Sequence, residues 1–253
     1  MYIKYIDLIL YRAALNLRAE GAKYYLGILW WVIEPVLYLA VFYVVFEMGL
    51  RQGGDGYVSF LLCGLVVWKW FDSCIKACSL SIIQNVDIMY QVDMPKVLFP
   101  LIMIATGSFK FLIILLVFLG FLLVAGDANI DSWGWLIVVM FIQLFLILAI
   151  GLFVAALVPV ALDLSFVVNY TMMMLFFASG IFFDINSMSV EAQKLLSYNP
   201  FMTIIDTYRS VLLLGEKPNF DKLFPFIIFS MVLLMVDLYL FKKLNKVFPR
   251  LVN

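Results

Sequence analysis

Six long apolar stretches, at approximately 28–50, 57–81, 100–125, 133–158, 164–184 and 223–241, constrain this chain more than any other feature of its sequence. A helix rises about 1.5 Å per residue, so about 20 apolar residues cross the hydrocarbon of a bilayer. Each stretch meets that length. Hydrophobic residues make up 66% of the 253 and charged residues 13%, where a soluble domain has roughly 45–50% and about 25%. A core of this size cannot hide that much apolar surface from water, because surface falls too slowly with size. Lipid must take up the excess, since only there does a uniformly greasy helix need no partner. The expected fold is all-α and integral to the membrane, one domain of six transmembrane helices over 1–253.

The connecting segments are RQGGDG (51–56), a polar stretch at 82–99, GDANIDS (126–132), PVALDLS (159–165) and a long insert at 185–222. Basic residues set orientation, since Lys and Arg concentrate in cytoplasmic loops. With both termini inside, the inner segments hold Lys4, Arg12, Arg18, Lys23, Lys96, Lys242, Lys243, Lys246 and Arg250, while the two short outer loops hold Arg51 alone. Both ends are therefore expected in the cytoplasm. Charges interrupt the first 27 residues too often for a cleavable signal peptide. Ile3, Ile6, Leu10, Ala13 and Leu17 recur there at helical spacing. That pattern predicts an interfacial amphipathic helix over 1–27, or a short cytoplasmic helix packed on a partner.

Several function classes drop out. The 17 basic and 17 acidic residues balance, leaving no global field to gather nucleic acid. No His is present, which removes the commonest general base and metal ligand. Cys63, Cys74 and Cys78 lack C-x-x-C spacing and are expected as small buried hydrophobes, with no metal site. No G-x-x-x-x-G-K-[ST] loop occurs, so no nucleotide is expected on this chain in that mode.

Polar residues inside the apolar stretches carry the functional signal. Lys69, Asp72 and Lys76 stand at i, i+3 and i+7, on one face of the second span. Each ionised group near the bilayer centre costs about 2.5–3.5 kcal/mol on insertion scales. Such a stripe faces either a hydrophilic substrate path or its own members, as a self-neutralising Lys–Asp–Lys cluster with ends reaching the interfaces. Trp68 and Trp70 flank it as candidate path residues, since aromatic rings pack on apolar sugar faces. Lys110 and Asp237 also fall within spans, and Glu34 precedes Pro35 in the first. Trp133 and Trp135 open the fourth span as interfacial belt residues.

The outer insert predicts a short helical segment from Ser189 to Ser197, then Asn199 as N-cap and Pro200 at the first helical position. A second helix over 200–214 would end at Gly215. The pair is too apolar for a free loop and too short for two spans, so a re-entrant hairpin is expected, with Asp206 and Arg209 paired at i, i+3. The inner stretch 82–99 is too polar to span. It reads as an ordinary connection or as a short surface helix on which a soluble subunit docks.

The stretch KYYLGILWWVIEP (23–35) resembles the lead-in to the first span of ABC permeases that export polysaccharides. FLLCGLVVWKWF (60–71), with Asn85 and then Pro95-Lys96, is similar to their second helix and inner loop, and YNPF (198–201) followed by Arg209 to their outer hairpin. This family comprises Wzm-like O-antigen, KpsM-like capsule and TarG-like teichoic-acid permeases. The resemblance implies a homodimer in the bacterial inner membrane, served by two separate ATPase subunits that bind the ATP. The N-terminal segment and the 82–99 loop, with Asp87, Met89, Tyr90, Asp93 and Lys96, would contact those subunits. A lipid-linked polysaccharide would pass between the two copies. Trp68-Lys69-Trp70-Phe71 is similar to the O-antigen branch and Glu34-Pro35 to the capsule branch. Two rivals stand beside this reading. An ion-coupled transporter or channel would use the charged stripe as its path, and a lipid-modifying enzyme would need Asp72 and Lys69 as its acid–base pair.

Overall fold

A computed structural model describes residues 2–23, 25–42, 44, 56–92, 94–183, 191, 199–245 and 247–248. Among them every regular element is helical: α1 Tyr2–Lys23, α2 Trp30–Phe42, α3 Tyr57–Ser81, α4 Val86–Gln91, α5 Leu98–Ala125, α6 Leu136–Leu157, α7 Leu164–Ala178, α8 Pro200–Arg209 and α9 Phe220–Leu244. Short 3-10 turns at Ile130–Trp135 and Val158–Val160 extend α6 at both ends.

Among the described residues four helical stretches are long and apolar enough to cross a bilayer: Tyr57–Ser81, Leu98–Ala125, Ile130–Val160 and Phe220–Leu244. The first matches its predicted bounds, and the last begins three residues early because Asn219 caps it. The predicted span 164–184 is shorter, because α7 has 15 residues and stops at Ala178. Gly180 then takes a left-handed conformation (φ 68°) that ends the helix. In the predicted span 28–50, the described helix α2 covers 13 residues around Pro35.

α3 is the axis of the molecule. In its most apolar 18-residue window 78% of residues are buried by the chain itself, against 17–39% for the other three long helices. It packs on α5 and α6 most extensively, then on α8, α2 and α7. This follows from composition: α3 is the least apolar of the four, and its charged residues Lys69, Asp72 and Lys76 lie within the span, where neighbours must screen them from lipid. Small residues let the backbones meet. A side chain at Gly107 of α5 would run into Cys74 of α3, and one at Gly151 of α6 would lie 3.1 Å from Cys78 Sγ. The cysteines are thus close-packing residues, and the Gly151-x-x-x-Ala155 face is the α6 side of a helix crossing.

α1 is the predicted N-terminal helix, but its second half lies along α5. Asn16 Nδ2 donates to Thr106 Oγ1 at 3.5 Å, and Glu20 pairs with Lys110. At one end of the bundle the short helix α4 connects α3 to α5. At the other, α8 continues through a π-helical turn, Ser210–Leu214, to Gly215 (φ 70°). The predicted helix at 189–197 lies outside the described residues except Glu191.

Candidate functional site

Lys69, Asp72 and Lys76 open on one cavity of about 410 Å³ between α2, α3 and α7. Pro35 and Tyr38 of α2 form one wall; Asn169, Met172, Met173, Phe176 and Phe177 of α7 form another. The charges divide into two pairs. Lys76 Nζ meets Asp72 Oδ1 at 2.7 Å along α3, while Lys69 Nζ reaches Glu34 Oε1 of α2 at 2.6 Å. The stripe is therefore neutralised within itself only in part, at Asp72 and Lys76. Its fourth charge is Glu34, one residue before the proline that marks α2, and Lys69 also lies 5.9 Å from the ring centre of Tyr38.

The two tryptophans separate. Trp68 lines the cavity, edge-on to Phe201 at 5.6 Å and tilted against Phe176 at 5.9 Å. Trp70 turns away, stacked on Phe111 of α5 at 4.1 Å, with its Nε1 donating to Ser108 Oγ at 3.3 Å. A residue two positions along a helix points about 200° round the axis, so both cannot face one path. The cavity thus has a charged α3 wall and an aromatic, methionine-rich wall. Such walls offer hydrogen-bonding groups and adaptable apolar contact together.

Arg209 is the cation with the most hydrogen bonds among the described residues. It is 4% exposed. Its Nη1 donates to the Gly180 carbonyl at 2.8 Å and its Nη2 to those of Ile181 at 2.9 Å and Phe60 at 3.2 Å. Asp206 Oδ1 accepts from Nη1 at 3.4 Å, so the pair expected from spacing is present but secondary. The Phe60 ring lies 3.3 Å from the guanidinium carbon, and a Cβ at Gly64 would lie 2.9 Å from Nη2. One side chain joins α8, the start of α3 and the turn after α7. Asn199 adds a second tie: its Oδ1 accepts from the Phe201 N–H at 3.0 Å, capping α8 ahead of Pro200, and its Nδ2 donates to the Ala178 carbonyl at 3.0 Å.

At the α4 end, Asp87 and Tyr90 are exposed, whereas Met89 and Lys96 are buried within the chain itself. The backbone N–H of Lys96 donates to Asn245 Oδ1 at 2.9 Å, tying the loop to the end of α9. Of the expected docking set, Asp87 and Tyr90 therefore lie at the surface, while Met89 and Lys96, at the foot of a packed loop, face the core. Asp93 lies outside the described residues. Asp237, which falls within the last span, is fully buried, and neither carboxyl oxygen has a hydrogen-bond partner among the described residues.

The family described as ABC-2 type transporter matches residues 16–213, which include α2 through α8 and most of both charge pairs' surroundings. Two proteins of Klebsiella pneumoniae, each named O-antigen export system permease protein, are 26% identical to this chain over 240 residues, 94% of this chain and 92% of theirs. A protein of the same name from Myxococcus xanthus is 25% identical over 239 residues, 92% of this chain and 90% of that one.

Proposed function

The chain belongs to the ABC-2 type transporter family, and we propose that it is the permease of an ATP-driven exporter of lipid-linked polysaccharide, O-antigen in the first instance. It works in the bacterial inner membrane as a homodimer, with both termini and α4 on the cytoplasmic side. Six spans cross the bilayer: the four long helices, α7, and the segment that contains α2. The α8 segment is the re-entrant arm of the outer hairpin. ATP binds to a separate subunit, which docks on α1 and on the exposed side of α4 through Asp87 and Tyr90.

One observation carries this reading: a charged stripe on the most buried of the four long helices opens on an aromatic cavity, in a chain collinear with O-antigen export permeases over nearly its full length. Sugars combine hydroxyls with apolar ring faces, and this cavity offers complements to both. The names of the relatives favour O-antigen over capsule or teichoic acid. The test supplies this gene, with that of its ATPase subunit, to a strain whose own exporter is deleted, and measures glycan at the cell surface. Export that depends on both chains is expected. Surface glycan that never requires the ATPase, or an ATPase that does not co-purify with this chain, would sink the proposal.

A further inference from the structure

Two more cavities lie behind α2, of about 220 and 580 Å³. The smaller shares Lys69 with the central cavity, and shares Glu20, Ser73, Gly107 and Lys110 with the larger. The larger sits between α1, α3 and α5. Gly107, Ala77 and Ala19 leave room in it, and Lys110 stands at its charged centre. Lys110 is the thirteenth residue of α5, about 18 Å along that helix. Glu20 of α1 holds it by an ion pair, and the Trp31 ring lies 5.4 Å from its ammonium.

The two large cavities differ in chemistry. The central one has Tyr38, Trp68, Phe176 and Phe177 on its walls, whereas among the described residues no aromatic side chain lines the larger one around Lys110, Trp31 standing on the side of the smaller cavity. Among the described residues that cavity has two ammonium groups, of Lys110 and Lys23, against one carboxylate, of Glu20, and adds Asn16, Ser73 and Gln84 as neutral hydrogen-bonding groups. Rings without flat partners bind poorly, but a phosphate accepts hydrogen bonds from every one of these donors. The Glu20–Lys110 pair is also exchangeable, because both side chains keep part of their surface open. We propose that this cavity binds the phosphate headgroup of a lipid arriving from the inner leaflet, with Lys110 exchanging the Glu20 carboxylate for phosphate oxygens. The inference rests on the exporter reading and names the part of the substrate recognised first. Lys69, shared through the smaller cavity, is the next cation toward the central site.

The permease–ATPase complex in phosphatidylcholine nanodiscs is titrated with a polyprenyl phosphate, the matching polyprenol and inorganic phosphate. Glu20→Gln removes the competing charge and is expected to tighten polyprenyl phosphate binding about tenfold. Lys110→Met is expected to weaken it about tenfold, with Lys110→Arg, which keeps the charge, as the folding control. An ion pair that merely joins two helices would not give these opposite signs. Equal binding by all variants, weakening by both Glu20→Gln and Lys110→Met, or polyprenol binding as tightly as the phosphate would each overturn the site. Inorganic phosphate binding as tightly as the lipid would overturn the lipid source. The titration reads binding alone, so the expected signs in a strain that exports no glycan would uphold this site while counting against the exporter reading.

Discussion

Arg209 gathers three backbone carbonyls. Those of Gly180 and Ile181 follow the end of α7, where carbonyls lack helical partners, and that of Phe60, in the first turn of α3, takes Arg209 as an additional donor. A planar fork presents five donors from three nitrogens and reaches carbonyls on separate elements, whereas the donors of a lysine radiate from one nitrogen. Arg209→Lys is therefore expected to cost about 3 kcal/mol, the scale of breaking a buried charged network. A thermal unfolding midpoint in detergent, falling by several degrees with helix content unchanged at low temperature, is the check; an unmoved midpoint would show that the carbonyls find other donors. Asp72 is different, since its partner Lys76 is four residues away and both face the cavity. Asp72→Ala should leave insertion and yield unchanged but lower surface glycan about tenfold, equivalent to about 1.4 kcal/mol in a barrier. The i, i+3 spacing of Asp206 and Arg209 was readable. The three carbonyls were not, because they come from residues 28 to 149 positions away.

At the scale of elements, polar residues decide which helices meet. Glu34 joins α2 to α3 and Glu20 joins α1 to α5, so each early helix is held by one carboxylate on one lysine. Reversing one charge, as in Lys69→Glu or Glu34→Lys, is expected to impair export, and the double reversal to restore much of it; a double variant no better than either single would show that position matters beyond charge. The hairpin helix gives a second case. Asn199 caps α8, and Asn199→Ala is expected to cost about 1 kcal/mol. Faster amide exchange in residues 200–205, with α3 and α6 unchanged, would show it. This cap and the stop at Gly215 were legible because they depend on local backbone chemistry. The π-helical turn at Ser210–Leu214 was not, since a wider turn answers to packing rather than to residue type. The early end of α7 at Ala178 belongs to the same class, although Ser179-Gly180 offered a hint.

For the whole molecule, the position of α3 sets the rest. Helices around it meet lipid with their apolar sides and turn polar groups toward it, so the candidate path forms against the least apolar helix. The surface proposed for the ATPase subunit offers Asp87 and Tyr90 of the expected set. With Met89 and Lys96 buried, a cysteine at Tyr90 should cross-link to the ATPase subunit and one at Met89 should not. The cross-linked band on a gel decides this; equal yields at both positions would mean that the loop rearranges on docking.

Hydropathy and spacing alone determined that this chain is helical, needs lipid, and places Lys69, Asp72 and Lys76 on one face. Those features follow from transfer energies and from the period of a helix, which are local. Only the tertiary structure decided that Lys69 pairs with Glu34, that Trp70 leaves the cavity Trp68 lines, and that Asp237 is enclosed. A helix has a period of 3.6 residues and no knowledge of its neighbours. Which face meets which helix depends on small-residue contacts such as Gly107 with Cys74, made between segments far apart in the chain.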